Sequence, residues 1–563
     1  MPYSHQHILN LAEICARKGV EQIVLSPGSR VAPLTLAFVR HSEIETFTIS
    51  DERSASFVAM GMAQQTGKLV AIACTSGTAM LNYSPAIAEA FYQQIPLLVL
   101  TADRPPEWID QQDGQAIRQQ LVHQNHTKGS FQLPVETTHP DAQWHSERII
   151  SEAINLANRF PKGPVHVNVP IREPFYPKVD EVLEFGNPKV ISEWESELNL
   201  TASAWEKVME VWKSNQKIML IGGQERQNEA LCQSLQKLGV PIISDVISNL
   251  HSVVGAIKLQ DAWLKASRED AESFQPDLLI TFGKSVISKN LKLFLRKHKP
   301  KQHWHLQIGG EVADPFQSLT DILRIEPTCF FKEFVERIGL TQSNQKKEWL
   351  KTWQQTDQTA LETANQFFEK ERHNEFACVR KLMKQLPKNC LLHLANSMSV
   401  RYANFINLEA EQSGVEIFAN RGTSGIDGSS STAVGHAINS NQTNILITGD
   451  LSFFYDRNAF WHNYLPKSLK ILLLNNGGGV IFRMIDGPAR QPELGTYFET
   501  QQNLTAEYLA KDFGFGYQKI QQENEFEKGL STFFSENEKP QILEVITNKE
   551  ESGKVFRAFK GLF

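Results

Sequence analysis

Short apolar runs closing on a glycine, serine, proline or charged turn recur through the first 180 residues: EQIVLSPGSR, IETFTISDER, KLVAIACTSG, IPLLVLTADRP and GPVHVNVPI. Helical stretches such as SASFVAMGMAQQ and AMLNYSPAIAEAFYQQ lie between them, and this alternation predicts a parallel, doubly wound sheet. REPFYPKVDEVLEFGNPKV, rich in proline and charge, reads as a linker. A second set follows (QKIMLIGGQE, VPIISDV, PDLLITFGK, KQHWHLQIGG), and the polar helical tract SNQKKEWLKTWQQTDQTALETANQFFEKERHNE leads to a third (NCLLHLANS, GVEIFANRG, TNILITGD, LKILLLNN, PQILEVITN). The charges of that tract predict a solvated helix face. The pattern therefore predicts an α/β chain of three doubly wound parallel-sheet domains, at 1–180, 190–345 and 365–563. The sequence carries no internal repeat or low-complexity tract.

Composition narrows the function classes. A chain of 563 residues exceeds a single core, and 41% hydrophobic with 21% charged residues describes an ordinary globular protein. A net charge of −6 argues against nucleic acid as main partner, which needs a basic face. The six cysteines are scattered without a CxxC pair and read mainly as small buried hydrophobes. The N-terminal MPYSHQHILNLAEICARKG lacks a signal-peptide pattern, and no apolar run reaches the ~18 residues of a membrane span. A cytoplasmic location is expected.

The runs ending in Asp450 and Asn476 carry the sharpest chemistry. Each residue lies just past a strand-like run, 26 positions apart. In an open α/β sheet, ligands bind at the carboxyl edge of the strands. A carboxylate, an amide oxygen and a glycine-rich backbone, with the Gly478 carbonyl as third ligand, suit a hard cation holding a diphosphate, and magnesium tolerates so few protein ligands. Glu52 follows the second run directly and opens a helix, a position that the helix dipole alone would favour. Arginines stand at turn positions: Arg30 in SPGSR, Arg104 in TADRPPE, Arg401 in NSMSVRYAN and Arg421 in NRGTSGIDG. Guanidinium forks gathered at one cleft would take a substrate with more than one carboxylate. The glycines of NRGTSGIDGSS could admit a ligand to the backbone, although no Walker lysine follows.

Together, SPGSRVAPLTLA, DERSASFVAMGMA, TSGTAMLN, TADRPPE, QAIRQ, NRGTSGIDGSSSTAVG, GDLSFFYDRNAF and NNGGGVIF resemble the menaquinone-pathway 2-succinyl-5-enolpyruvyl-6-hydroxy-3-cyclohexene-1-carboxylate synthase family of thiamine-diphosphate enzymes. The match spans the first and third predicted domains, which the resemblance makes the pyrimidine- and diphosphate-binding domains around a central Rossmann-like one. It implies thiamine diphosphate with Mg2+ (or Mn2+) as cofactors, and a transferase that decarboxylates 2-oxoglutarate and adds the resulting succinyl-semialdehyde unit to isochorismate. Glu52 would activate the cofactor through its aminopyrimidine. Asp450, Asn476 and the Gly478 carbonyl would hold the metal, Ile426 would support the bent cofactor, and Ser397, Ser452 and Ile481 would border it. Ser29, Arg30, Arg104, Gln115, Lys289, Arg401, Arg421, Ile481, Phe482 and Ile485 would line the substrate pocket, with Arg30, Gln115, Arg401 and Arg421 acting beside Glu52 in catalysis. The resemblance also implies a homo-oligomer, at least a dimer, in which the pyrimidine-binding domain of one chain faces the diphosphate-binding domain of another.

Two departures stand out: Gly114 replaces the Asn common before QAIRQ, and the cation motif reads GDLS rather than GDGS. The competing readings are another thiamine-diphosphate 2-oxoacid decarboxylase or acetolactate-type synthase, an inactive cofactor-binding regulatory subunit, and a nicotinamide-dependent dehydrogenase. The last suffers from the absence of GxGxxG after the first strand.

Overall fold

The computed structural model describes residues 5–178, 181–194, 196–339, 343–370 and 373–563. Val179 and Asp180 of the expected linker, and Glu371 and Arg372 of the polar tract, lie outside the described residues. The first sheet contains β1 (Gln22–Leu25), β2 (Glu45–Thr48), β3 (Val70–Cys74), β4 (Leu97–Asp103), β5 (Ser130–Gln132) and β6 (Val165–Pro170), in the order β2-β1-β3-β4-β6-β5. The second contains β7 (Ile218–Gly222), β8 (Ile242–Ser244), β9 (Leu278–Phe282), β10 (Gln302–Leu306) and β11 (Asp321–Leu323), in the order β11-β10-β9-β7-β8. The third contains β12 (Cys390–Leu394), β13 (Val415–Phe418), β14 (Thr443–Gly449), β15 (Leu469–Asn475), β16 (Gly516–Ile520) and β17 (Gln541–Ile546), in the order β13-β12-β14-β15-β17-β16. The described registers are parallel, for example Gln22 opposite Glu45, Leu220 opposite Ile242 and Lys470 opposite Gln541.

Three parallel sheets agree with the predicted class, and every apolar run singled out above forms a strand. Three strands escaped that reading: β5, β11 and β16. Each is the outermost strand of its sheet. SFQ, DIL and GYQKI are partly exposed along most of their length, so they lack the hydrophobic signal that burial on both faces imposes on inner strands. AMLNYSPAIAEAFYQQ forms two helices, Thr78–Asn82 and Ser84–Gln93, meeting at Tyr83.

The first and third sheets share one strand order. Renumbered from its own first strand, β13-β12-β14-β15-β17-β16 becomes 2-1-3-4-6-5, the order of the first sheet. The fold thus repeats a topology although the sequence shows no repeat, because strand order constrains connections and burial, not residue identity.

The chain divides into two compact units. One comprises Met1–Glu195, Asn420–Asn444 and Ser452–Leu469. Here Ile23, Leu25, Ala71, Ala73, Leu98 and Leu100 share a buried cluster with residues of the helices Gln6–Arg17 and Pro140–Asn158. The alternate residues Val24, Ile72 and Val99 are equally buried and point to the opposite face. The helix Glu52–Thr66 packs against this sheet and against the helix Ser429–Ile438. Two glycines permit the helix contact. A Cβ on Gly61 would lie 2.2 Å from the Thr432 carbonyl oxygen, and one on Gly435 would lie 2.0 Å from that of Val58.

The other unit comprises Ser196–Ala419, Ile445–Leu451 and Lys470–Phe563. Its largest buried cluster runs from Met219 and Leu279 of the second sheet to Leu392, Leu474 and Phe559. The polar tract forms the helix Asn344–Lys370, whose buried Trp349, Trp353, Ala360, Ala364 and Phe368 make an apolar stripe at helical spacing in that cluster. Among the described residues, no helix is long and apolar enough to cross a membrane.

Gly435→Ala places a methyl group against main chain that cannot swing aside. Overpacking of this kind costs about 1–3 kcal/mol, and thermal unfolding of the variant should show a lower midpoint. An unchanged midpoint would mean that the two helices can separate without loss.

Candidate active site

The carboxyl ends of three adjacent strands, β12, β14 and β15, deliver Ser397, Asp450 and Asn476. Ser397 sits at φ +70°, ψ −124°, a sparsely populated conformation for a residue with a Cβ, directly before the helix Met398–Ile406. Asp450 is buried. Its Oδ1 accepts from the Leu451 N–H at 2.7 Å, and its Oδ2 accepts from the Gly478 N–H at 2.8 Å and Gln502 Nε2 at 2.7 Å. Burial raises its pKa, and these donors oppose the shift. Gly478, at φ +157°, is confined to glycine twice over, since an added Cβ would stand 2.7 Å from the Glu499 carbonyl oxygen.

Asn476 has two unlike ends. Its Nδ2 donates to Glu375 Oε1 at 2.6 Å, while its buried Oδ1 has no hydrogen-bond partner. Glu375 is buried and also accepts from Tyr402 Oη at 3.0 Å and Thr547 Oγ1 at 3.4 Å. Burial pushes its carboxyl up to about 7; the Asn476 and Tyr402 donors oppose this, and the Asp450 charge adds to it. The buried Asp450 carboxylate and the orphaned Asn476 amide oxygen, at the ends of neighbouring strands, fit a divalent cation with oxygen ligands. Below them, Asn475 donates to Glu544 at 2.6 Å and to the Leu504 carbonyl at 2.8 Å, bracing the turn from inside.

The first sheet uses its carboxyl edge in the same way. Glu52 follows β2, Ser29 and Arg30 follow β1, Ser76 follows β3, and Arg104 follows β4. Glu52 opens its helix behind the cap Asp51, is half-buried, and its Oε2 accepts from Asn82 Nδ2 at 3.5 Å. Within one chain this carboxylate is therefore only partly shielded from water. Arg30 is buried, donates to the Ile171 carbonyl at 2.6 Å and stacks over Phe175. Burial, then the charge of Arg104, lowers its pKa. Arg104 donates from Nη1 to Ser76 at 2.7 Å and pairs through Nε with Asp113. Ser29 and Gln115 are exposed. Arg30 and Arg104 are thus near enough for the charge of one to act on the other.

Ser452 donates to the Ile426 carbonyl at 2.6 Å, and the Ile426 side chain is 39% exposed. In the unit carrying the third sheet, Arg401 donates to the Ser397 carbonyl. Burial lowers its pKa, against the pull of Asp261. Lys289 is exposed at the start of the helix Lys289–Lys297; its neighbours Ser288 and Asn290 both donate to Asp261, at 2.8 and 2.9 Å. Ile481 and Phe482 are half-buried beyond the glycine run, and Ile485 is exposed.

Two glycines of NRGTSGIDGSS sit in close packing contacts. A Cβ on Gly422 would meet the Glu89 carbonyl oxygen at 2.8 Å, and one on Gly428 would meet the Phe57 ring at 2.3 Å. Sequence reasoning missed two organising residues here. Buried Glu89 accepts from the Gly422 N–H at 2.8 Å and from the Thr423 N–H and Oγ1, each at 2.6 Å, fixing the loop that follows Arg421. Buried Gln119, the last residue of QAIRQ, accepts from the Gly77 N–H at 2.8 Å and donates to the Ala102 carbonyl and Asn168.

A strand edge bearing an acid, an amide and glycines, and a carboxylate-bearing sheet of the same topology, suit one class of enzyme, and comparison with known families agrees. The family model described as "Thiamine pyrophosphate enzyme, N-terminal TPP binding domain" matches residues 10–127, and "Middle domain of thiamine pyrophosphate" matches residues 189–394. Proteins named 2-succinyl-5-enolpyruvyl-6-hydroxy-3-cyclohexene-1-carboxylate synthase are similar along nearly the whole chain. The one from Cytophaga hutchinsonii is 44% identical, covering 99% of this chain and 98% of its own. Those from Flavobacterium johnsoniae and Bacteroides thetaiotaomicron are 39% and 37% identical, each covering 98% of this chain and, respectively, 97% and 98% of their own. The chain belongs to the 2-succinyl-5-enolpyruvyl-6-hydroxy-3-cyclohexene-1-carboxylate synthase family, within the thiamine-diphosphate-dependent enzymes.

Removing the Glu89 carboxylate with Glu89→Ala strands three loop donors. Hydrogen bonds to a charged acceptor contribute about 1.5–3 kcal/mol each, so amide hydrogen exchange across residues 421–425 should accelerate at least tenfold. Unaltered exchange there would show that the loop is held by other contacts.

Proposed function

We propose that this protein joins the decarboxylated succinyl-semialdehyde unit of 2-oxoglutarate to isochorismate, giving 2-succinyl-5-enolpyruvyl-6-hydroxy-3-cyclohexene-1-carboxylate and carbon dioxide. The observation that carries the reaction is the 44% identity over 99% of the chain to a protein of that name. The site chemistry supports it.

Thiamine diphosphate, when bound, supplies the electron sink for loss of carbon dioxide and for carbon–carbon bond formation. The chain supplies the rest. Asp450, the free oxygen of Asn476 and the Gly478 carbonyl hold Mg2+, for which Mn2+ can substitute, and through it the diphosphate. Ser397, Ile426, Ser452 and Ile481 border the cofactor. Glu52 holds a proton against the aminopyrimidine ring, the general acid–base task that a helix-start carboxylate can perform. Arg30, Arg104, Arg401 and Arg421, with Ser29, Gln115 and Lys289, bind and orient the substrate carboxylates, and Phe482 and Ile485 exclude water from the reacting carbons. The pyrimidine-binding, central and diphosphate-binding domains correspond to 1–180, 190–345 and 365–563. A cytoplasmic homodimer is the minimum active unit, the commonest symmetric assembly.

The direct test supplies 2-oxoglutarate, thiamine diphosphate and Mg2+, with and without isochorismate, and follows the product by mass. Adduct formation only with both substrates is expected; succinic semialdehyde alone would point to a simple decarboxylase. Glu52→Gln should fold and bind thiamine diphosphate yet lose about 10²–10⁴-fold in turnover, the usual contribution of a positioned acid–base. Near-normal turnover would remove Glu52 from that role. Arg401→Ala should raise KM for a substrate while leaving cofactor affinity intact, and an equal loss of cofactor affinity would mark the arginine as structural.

A further inference from the structure

The cation reading leaves open what decides which end of the Asn476 amide faces the metal. An amide presents an acceptor at one end and two donors at the other, and only the oxygen end can ligate. Nothing in the Asn476 side chain itself selects the orientation. We propose that Glu375 is a positioning residue for this ligand: by accepting the Asn476 Nδ2–H, it turns Oδ1 toward the cation and holds it there.

Three features converge on this role. The Asn476–Glu375 contact is short, at 2.6 Å. Both Glu375 oxygens are acceptors in this cluster, since Tyr402 donates to Oε2 and Thr547 to Oε1, so an amide with its oxygen turned inward would meet an acceptor rather than a donor. The end of the amide left over, Oδ1, is buried and without a partner. Glu375 itself is fixed in place. It lies in the first turn of the helix Glu375–Lys384, which Asn374 caps by accepting from the Ala377 N–H. Groups that orient metal ligands typically change metal affinity 10–100-fold when altered.

This inference rests on the proposed cation site, and the test separates the two. Mn2+ binding to the whole protein at saturating thiamine diphosphate is titrated by electron paramagnetic resonance. Failure of the unaltered protein to bind Mn2+ would reject the cation site itself, whatever Glu375 does. Two conservative variants then dissociate orientation from charge. Glu375→Gln discards the charge but can keep an acceptor oxygen against Asn476, with its amide nitrogen turned to Tyr402 Oη. Glu375→Asp keeps the charge but withdraws the acceptor by one methylene. Orientation predicts near-native Mn2+ affinity for Glu375→Gln and a 10–100-fold loss for Glu375→Asp. The reverse order, equal losses or no loss in either would overturn it. Thermal unfolding without cofactor accompanies the titration and verifies that both variants are folded at the temperature of the binding measurement.

Discussion

Polar side chains placed at the carboxyl ends of inner strands must find partners there, because the sheet and its helices shut out water. The third sheet meets that demand almost completely. Each Asp450 oxygen accepts at least one hydrogen bond, Glu544 takes the Asn475 amide, and Glu375 takes the amide of Asn476 together with two hydroxyl groups. These bonds pin the turns after β14 and β15, which is what allows Asn476 to leave one oxygen unmatched. A loose turn would bring that oxygen a partner from the chain or from solvent. The rigidity of the surrounding network and the availability of one ligand atom are therefore the same fact.

The repeated strand order shows how one backbone plan serves two chemical ends. In both sheets the chain sets its second strand on one side of the first and its third on the other, and open α/β sheets receive ligands at the carboxyl edge where the order reverses in this way. The first sheet fills that edge with a carboxylate and guanidinium groups, the third with an acid, an amide and glycines. Topology fixes where a ligand is received, and side chains alone decide what is received. Sheets that share an order need share no sequence.

Legibility in the sequence follows from how local each signal is. Inner strands were readable because burial on both faces demands continuous apolar residues; β5, β11 and β16 were not, because an edge strand is free to carry Gln, Asp or Lys. Asp450 and Asn476 were readable as polar residues abutting apolar runs. Glu375, Glu89 and Gln119 were not. Glu375 meets its partner 101 positions away and Glu89 meets its loop 333 positions away, and each looks locally like an ordinary helix glutamate. The glycines after Arg421 show the same limit: sequence reveals that room is needed, but not that the Glu89 main chain and Phe57 stand beside Gly422 and Gly428.

Arg30, Arg104 and Arg401, to which the proposed function gives substrate carboxylates, are already partly engaged. Arg30 spends one N–H on the Ile171 carbonyl, Arg401 spends one on that of Ser397, and Arg104 bonds Ser76 and Asp113. A guanidinium carries five N–H donors in a rigid plane, so anchoring one or two sets the direction of the rest. A freely rotating arginine would lose that freedom only on binding, at about 0.5–1.5 kcal/mol for each side chain immobilised. Arg30 and Arg401 are, besides, buried enough that desolvation lowers their pKa. A carboxylate arriving there would thus meet donors already stripped of much of their water and already aimed. An acidic protein can in this way bind dianions: what matters is the fixed local field of a few held guanidinium groups, not the sign of the whole molecule.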